Sequence, residues 1–327
     1  MNILLTFDYE LFFGNEPGTV RKCMLDPTND LFQIAEKYDV HYTFFVDVGY
    51  LVAAAKYDAL KEERELVVAQ IREMIARGHD VQLHVHPHWE KATWDGKWSM
   101  NTTGAYKLSD FAEEESDKIV RKYKAEIESI IERKTFVYRA GGWCIQPFSH
   151  LRNIFSELGI THDSTVVAGD FLETSEYAVD FRDAPLKSNY RFEEDVCIED
   201  KNGQFTEVQI TPLRYSPLFY WRLYLLGRLN PGRHKMLGDG IFISQGGRKK
   251  RTLTAFTTAH VSTDGYFASK LNAGLEKVQN LGWSELVTIG HPKSNTLYSL
   301  EKLEEFIGIN VKKHNFTTFM EVFGVDS

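Results

Sequence analysis

The chain has 327 residues, 43% of them apolar, which is enough for one large α/β domain or two small ones without disulfides. Its formal net charge of −8 argues against a dedicated nucleic-acid binder, and three scattered cysteines argue against a disulfide framework. No apolar run approaches the ~20 residues that span a bilayer. The N-terminus runs straight into a strand-like segment without the features of a leader peptide, so we expect a cytoplasmic protein.

Seven short β-prone runs alternate with helical patterns along the chain, and each run ends at or near a polar residue. The runs are 3–7, 42–46, 81–83, 135–138, 160–162, 207–210 and 285–289. The helical segments between or after them are 28–38, 62–77, 109–132, 147–158, 268–281 and 300–309. This alternation predicts a parallel sheet, and seven strands favour a distorted (β/α) barrel over the alternative, an open doubly wound sheet. In such a barrel the chemistry collects at the carboxyl ends of the strands, where these polar residues fall.

Residues 212–265 interrupt the alternation and are long for a single connection. We predict one domain over residues 1–327 with an insertion at about 212–265. Within the insertion, the aromatic and basic stretch 218–228 is interpreted first as a core-packed helix. The alternative is an interfacial helix, with contact over 218–235 to a membrane surface or a lipid-linked substrate. The basic cluster at 246–251 predicts a solvated face, with a phosphate-bearing substrate as the alternative.

Two acidic residues, Asp8 and Glu10, follow the first β-prone run. They are two positions apart, so on a continuing strand their side chains share a face. One carboxylate can then bind a cation while the other stays free as a base, and a metal-dependent hydrolase needs both functions. The pair therefore predicts hydrolytic chemistry if metal-binding side chains lie nearby.

Three alternate histidines, His84, His86 and His88, end the third run. Imidazole is the commonest protein ligand for zinc and similar metals, and two histidines with one carboxylate leave positions open for water and substrate. His84 and His88 share one side of a helical turn, whereas His84 and His86 share a face only where the chain stays extended. Pro87 disfavours a helical conformation at His86, so a turn is expected to begin at or after that residue. The residues alone leave the ligand pair open.

Four motifs occur in an order that matches a known family. They are residues 6–10, the loop of His84 and His88, residues 138–143 and residues 288–292. Over roughly residues 1–295 the chain resembles the polysaccharide deacetylase family of carbohydrate esterases, which share the chitooligosaccharide deacetylase homology domain. The resemblance implies a distorted barrel with about seven parallel strands. It also implies metal-dependent hydrolysis of an N- or O-linked acetyl group on a sugar.

The resemblance implies a role for each matching residue. It implies that Asp8 is the base that activates water, that Arg139 orients this base, and that His291 is the general acid. It implies Glu10, His84 and His88 as the metal ligands. Asp163 is implied as a supporting carboxylate. His86 is the alternative ligand, or it supports the metal from outside the ligand set. We expect one divalent metal ion, zinc first, with cobalt, manganese, iron or nickel as alternatives.

The sequence departs from the family pattern in two motifs. Glu10 stands where the family has a second aspartate, and residues 139–143 replace the usual Arg-x-Pro-Tyr. Trp143 and the glycines before it, Gly141 and Gly142, are therefore expected to contact substrate, and Trp89 is expected to form a second aromatic wall.

The leading hypothesis is a metal-dependent deacetylase, a hydrolase of non-peptide carbon–nitrogen bonds, acting on an acetylated saccharide or a saccharide-containing biosynthetic intermediate. One alternative is hydrolysis of a non-sugar C–N bond, such as a cyclic amide or ureide. Another is a carbohydrate-binding protein with a degenerate site. The sugar, the linkage, the native metal and the oligomeric state are left open by the sequence.

Overall fold

The computed structural model describes residues 1–14, 16–174, 177–242 and 248–324. Nine of its strands form one curled sheet, and the other six form three separate antiparallel pairs. In chain order the strands are β1 (Asn2–Tyr9), β2 (Thr43–Asp47), β3 (Asp80–Val85), β4 (Thr93–Trp94), β5 (Trp98–Ser99), β6 (Val137–Ala140), β7 (His162–Asp163), β8 (Phe171–Glu173), β9 (Ala178–Asp180), β10 (Asn189–Phe192), β11 (Phe205–Val208), β12 (Pro212–Tyr215), β13 (Thr257–His260), β14 (Glu285–Gly290) and β15 (Asn315–Phe316).

The α-helices cover the outside of the sheet and one end of it. They are α1 (Asp26–Tyr38), α2 (Val48–Ala54), α3 (Lys61–Ala76), α4 (Glu113–Ile131), α5 (Arg152–Leu158), α6 (Pro217–Leu229), α7 (Pro231–His234), α8 (Arg248–Thr254), α9 (Leu271–Leu281), α10 (Leu297–Asn310) and α11 (Phe319–Phe323). Within the described part of the chain, no helix is both long enough and apolar enough to cross a bilayer.

Seven strands run parallel across the sheet in the order β11-β7-β6-β3-β2-β1-β14. They coincide with the seven β-prone runs of the sequence, so the predicted strand number is confirmed. Two further strands extend the sheet: β10 pairs antiparallel with β11, and β15 pairs with the start of β1. The register places Asp47 beside His84 and His84 beside Arg139, which aligns the carboxyl ends of three strands.

The two edges of the parallel sheet are joined through the chain that follows β11. Thr211 N donates to the Val287 carbonyl at 2.9 Å, and Val261 N donates to the Thr211 carbonyl at 2.8 Å. Ile289 N donates in turn to the Val261 carbonyl at 3.1 Å. These bonds connect the β11 edge to β14, and the curled sheet becomes the distorted barrel that the sequence predicts.

The barrel interior is packed with apolar side chains, one from each of five strands. They are Leu4, Phe45, Val137, Val208 and Val287, all of them buried. Side chains alternate along a strand, so the inward face of β1 that carries Leu4 also carries Thr6 and Asp8. These side chains therefore fill the interior of the barrel, and Asp8 lies above them at the carboxyl end of β1.

The predicted insertion is built on the antiparallel pair of β12 and β13, with α6, α7 and α8 between them. Tyr215, Phe219, Tyr220 and Ala259 form its own small buried cluster. Residues 243–247 lie outside the described residues, so the basic cluster is described only in part. The division of the chain into one domain with an insertion stays a prediction.

Candidate active site

Arg139 holds Asp8 at the carboxyl end of β1. Its Nη1 donates to Asp8 Oδ1 at 2.7 Å and to Thr6 Oγ1 at 2.8 Å, and its Nε donates to the Ser164 carbonyl at 2.7 Å. Both members of the ion pair are buried. A guanidinium tied down at several points fixes the orientation of the carboxylate. The other carboxylate oxygen, Oδ2, lies 3.7 Å from His291 Nε2.

Glu10, His84 and His86 form a second buried cluster beside Asp8. Glu10 Oε2 lies 3.0 Å from His84 Nε2 and 2.8 Å from His86 Nε2. Ligand atoms of the three residues lie within 4.8 Å of one another, and no other such group occurs among the residues that the structure describes. His84 Nδ1 donates to the Arg139 carbonyl at 2.8 Å. Because a carbonyl only accepts, the proton of a neutral His84 sits on Nδ1, and the Nε2 lone pair faces Glu10.

His86 reaches the cluster because the chain stays extended one residue past β3. Its φ of −110° and ψ of 99° continue the pleat, so His84 and His86 share a face. Gly141 gives the ring its space, since a Cβ there would lie 2.5 Å from His86 Nδ1. That nitrogen is buried without a hydrogen-bond partner among the described residues, and the Phe13 ring packs against the imidazole with centroids 4.0 Å apart.

His88 lies outside the cluster, which favours the alternative ligand pair of His84 and His86 over our first choice of His84 and His88. The short helix that begins at Pro87 turns His88 into the core, where neither ring nitrogen has a described hydrogen-bond partner. Its ring packs against Phe13, with the ring centroids 4.9 Å apart. Burial lowers the pKa of His88 well below its ordinary value, so the imidazole is neutral.

The cluster fits a divalent cation. Two imidazole nitrogens and one carboxylate are donors that zinc and other first-row metals accept. The local field also favours positive charge. Burial by itself would lower the pKa of His84, but Asp8, Glu10 and Asp47 outweigh it and raise that pKa to about 9.

Lys293, which the sequence analysis missed, binds the second oxygen of Glu10. Its Nζ donates to Glu10 Oε1 at 2.8 Å and to the Leu11 carbonyl at 2.6 Å. Burial would raise the pKa of Glu10, but the Lys293 ammonium, with the imidazole of His86, lowers it well below its ordinary value. Lys293 thus keeps Glu10 ionised and leaves Oε2 facing the histidines. It lies two positions after His291, but nothing in that spacing indicates its burial or its partner.

His291 lies across the cluster from the other histidines, and Asp264 orients it. Asp264 Oδ2 lies 2.8 Å from His291 Nδ1, and Asp264 Oδ1 accepts the His291 backbone N–H at 2.8 Å. This leaves Nε2 directed at Glu10 Oε1, 3.6 Å away, and at Asp8. Burial would lower the pKa of His291, but Asp264, Asp8 and Glu10 raise it above its ordinary value. Asp264 lies four positions after β13, and nothing in the sequence before it indicates its contact with His291.

These groups line one side of a cavity of about 810 Å³. This volume is in the range of pockets that hold small organic ligands. Much of the remaining wall is aromatic and includes Phe13, Tyr106, Trp143, Tyr224, Tyr266 and Phe267. Part of the wall comes from α6, so the predicted insertion contributes directly to the site.

Comparison with known proteins agrees with this fold. The chain is similar to a protein of Mycobacterium smegmatis described as a polysaccharide deacetylase, with 15% identity, coverage of 98% of this chain and 88% of that one, and a TM-score of 0.53. It is also similar to PuuE allantoinase, with 11% identity, coverage of 99% and 92%, and a TM-score of 0.51. Both likenesses concern the fold. A family model described as polysaccharide deacetylase matches residues 2–161. Residues 2–161 thus belong to the polysaccharide deacetylase family. Among curated protein sequences no significant match is found.

The departures from the deacetylase family pattern have local explanations. Trp143 and Gly142 line the cavity, and their contact with substrate stays a prediction. Gly142 has a φ of +59°, and a Cβ there would lie 2.5 Å from the Tyr106 ring, so only glycine lets that tyrosine form the wall. Gly141 does not line the cavity. Its lack of a side chain serves His86 instead.

Trp89 is not the second aromatic wall that the sequence analysis expected. It is completely buried and is not part of the cavity lining. Its Nε1 donates to Asp47 Oδ2 at 2.6 Å, and its ring packs beside Trp98 and Tyr50. The cause is the short helix at Pro87, which turns Trp89 away from the cavity and into the core.

Trp89→Phe is expected to lower the free energy of unfolding by about 1–3 kcal/mol, because it leaves Asp47 Oδ2 buried without its indole donor. Urea unfolding followed by circular dichroism measures the difference. Trp94→Phe is the matched control, since Trp94 is partly exposed, and a change within about 0.5 kcal/mol is expected for it. Equal stability of the two variants would contradict the structural role of Trp89.

Asp163 supports the arginine strand without reaching the cavity. Its Oδ1 accepts from Thr165 Oγ1 at 2.8 Å, and that hydroxyl oxygen accepts from Ala140 N at 2.9 Å. The side chain is buried. Asp163 thus fixes the backbone immediately after Arg139, and its supporting role stays a prediction.

Proposed function

We propose that the protein is a metal-dependent deacetylase that hydrolyses an N- or O-linked acetyl group of a saccharide. The observation that carries the proposal is the convergence of Glu10, His84 and His86 beside the buried Asp8–Arg139 pair. The match of residues 2–161 to the polysaccharide deacetylase family supports the same reaction class.

In this proposal Glu10, His84 and His86 hold one divalent metal ion, with zinc as the first choice. A bound cation of this type polarises the acetyl carbonyl and lowers the pKa of water. Around it, Lys293 keeps Glu10 ionised, and the Arg139 carbonyl keeps the His84 lone pair directed into the cluster. The chain thus supplies both the ligands and the groups that orient them.

Asp8 is the proposed base. Its Oδ1 is occupied by Arg139, and Oδ2 is the oxygen that takes a proton from the attacking water. The arginine binds the carboxylate and restricts its rotation. Protonation at Oδ2 therefore needs no rearrangement of the side chain.

His291 is the proposed acid. Asp264 binds Nδ1, so Nε2 presents its proton on the same side of the cavity as Asp8, 3.7 Å from Oδ2. Nε2 delivers that proton to the leaving nitrogen or oxygen when the acyl bond breaks. The pairing of a carboxylate with one imidazole nitrogen fixes the tautomer that this transfer needs.

The substrate side of the proposal rests on the aromatic wall. Sugar rings pack their C–H faces against aromatic rings, and Trp143, Tyr106 and Phe13 line the cavity. A cavity of about 810 Å³ accommodates a short acetylated saccharide better than a single small ureide.

The test measures metal content and acetate release on the same purified protein. We expect about one zinc or related metal ion per chain and acetate release from N-acetylated chitooligosaccharides or O-acetylated xylooligosaccharides. Chelation should abolish release and zinc should restore it. Ammonia from a cyclic ureide without acetate release would favour the second hydrolase class. Saccharide binding without turnover in metal-loaded protein would favour a degenerate site.

A further inference from the structure

The charge of the chain is unevenly distributed. Residues 212–263 carry nine lysines and arginines and a single acidic residue, Asp239, although the whole chain has a net charge of −8. Asp239 is itself bound to Thr19, whose backbone N donates to it at 2.7 Å. A strongly basic segment in an acidic protein indicates an anionic partner for that segment.

Helix α6, within this segment, presents an apolar stripe to solvent. Leu218, Trp221, Leu225 and Leu229 follow one another at spacings of three, four and four residues, so they lie along one side of the helix. Their exposed fractions are 59%, 50%, 49% and 80%. A core-packed helix is the first expectation from the sequence, but only Phe219 and Tyr220 of α6 are buried.

The opposite side of α6 lines the cavity. Tyr220, Leu223, Tyr224 and Gly227 belong to the cavity wall and recur at helical spacing. One helix therefore has an apolar outer stripe and an inner face on the candidate active site. A partner that covers the outer stripe therefore lies within one helix diameter, about 10 Å, of the cavity wall.

Basic side chains flank the stripe. Arg222 and Arg228 lie on either side of it at helical spacing, and Lys250 is exposed on α8, which packs against α6. Lys249, also on α8, instead lies over the Tyr224 ring on the cavity side, with Nζ 4.9 Å from the ring centroid. None of these four cations forms an ion pair with an acidic side chain that the structure describes. An apolar stripe between cationic borders is the pattern of a helix that lies in a lipid–water interface.

We propose that α6 docks on an anionic phospholipid bilayer, with its leucine stripe among the acyl chains and its cations at the headgroups. A second copy of the chain fits less well, because two equally basic surfaces would face each other. A nucleic acid would use the cations but leave the apolar stripe in water. A lipid surface satisfies both features at once.

Docking would hold the cavity beside the membrane surface, which favours a saccharide carried on a lipid as the substrate class. Only this last step rests on the proposed deacetylase function. Membrane binding itself needs neither metal nor turnover, so the two proposals can fail separately.

The experiment is vesicle co-sedimentation of the full chain. One set of vesicles is pure phosphatidylcholine and the other contains about one quarter phosphatidylglycerol, whose negative surface attracts basic segments. We expect binding to the anionic vesicles that weakens as salt is raised. The double variant Leu225→Glu, Leu229→Glu should bind at least about tenfold more weakly, because it removes two exposed leucines that would insert among the acyl chains.

The matched control is Leu66→Glu, Ile309→Glu. These residues are exposed to a similar degree, 48% and 47%, on helices outside the basic segment. This variant should bind vesicles as the wild type does. Equal binding by the stripe variant, or equal binding to both vesicle types, would overturn the proposal. Concentration-dependent dimerisation removed by the stripe variant, without vesicle binding, would assign the surface to a second copy instead.

Discussion

His86→Leu is expected to remove the bound metal, whereas His88→Leu is expected to leave it in place. Both changes replace a buried imidazole by an apolar side chain of similar size, so neither opens a large cavity. They differ in what the imidazole faces. His86 Nε2 lies 2.8 Å from Glu10 Oε2, while both nitrogens of His88 lack a described hydrogen-bond partner.

The size of the effect follows from the role of the residue. Loss of a residue that only supports a metal ligand typically costs 10–100-fold in affinity, so loss of the ligand itself should weaken binding by more than about 100-fold. Metal per chain is measured by mass spectrometry after gel filtration, and affinity by competition with a chelator. Thermal unfolding of both variants checks that each one folds.

Two other outcomes for the metal content of these variants would contradict the pair of His84 and His86. If His88→Leu loses the metal and His86→Leu keeps it, the ligand pair is the one that the family resemblance implies, and the chain must rearrange around Pro87 when metal binds. If both variants keep the metal, Glu10 and His84 would hold it with a ligand that we have not assigned.

The sequence predicts the barrel well because the fold depends on local periodicity. Each β-prone run overlaps one of the seven parallel strands. The two-residue spacing of Asp8 and Glu10 correctly indicates that both side chains lie together at the end of β1. The proposed pair of histidine ligands is harder to predict from the sequence, because it depends on the backbone conformation of one residue, His86. His86 belongs to the extended chain and not to the turn after it, and only the backbone angles distinguish these two conditions.

Lys293 and Asp264 lie beyond prediction from the sequence for a different reason. Their roles depend on contacts across the barrel, over 283 positions for Lys293 with Glu10 and 27 positions for Asp264 with His291. Neither residue belongs to a periodic pattern. Trp89 shows the converse error, since an aromatic residue beside the histidine motif was expected at the cavity and is instead part of the core.

Helix α6 also differs from the first expectation, which was a core-packed helix. Its composition, rich in leucine, aromatic residues and arginine, is compatible with either a buried or an interfacial helix, and the sequence analysis put the buried one first. The structure separates the two faces by their surroundings, the cavity on one side and solvent on the other. Periodicity alone gives the faces but not their environments.

Asp8→Asn is expected to reduce kcat by about 10²–10⁴-fold, the usual contribution of a positioned general base. The amide keeps one oxygen to accept from Arg139, so the ion pair is replaced by a hydrogen bond from the charged guanidinium to a neutral amide oxygen. It has no basic oxygen to take the proton of water. Since Asp8 is not one of the three proposed ligands, metal content should stay near one ion per chain.

The control is Asp80→Asn, the same chemical change at a second buried aspartate. Asp80 begins β3, so it lies at the opposite end of the parallel sheet from Asp8, where it accepts hydrogen bonds from Gln82 and the Met320 backbone. This variant should keep its kcat. Acetate release and metal content are measured on both variants together. Wild-type turnover in metal-loaded Asp8→Asn would remove Asp8 as the base, and joint loss of metal and turnover would make it a ligand. Loss of turnover alone is the outcome that requires Oδ2 of Asp8 to accept the proton.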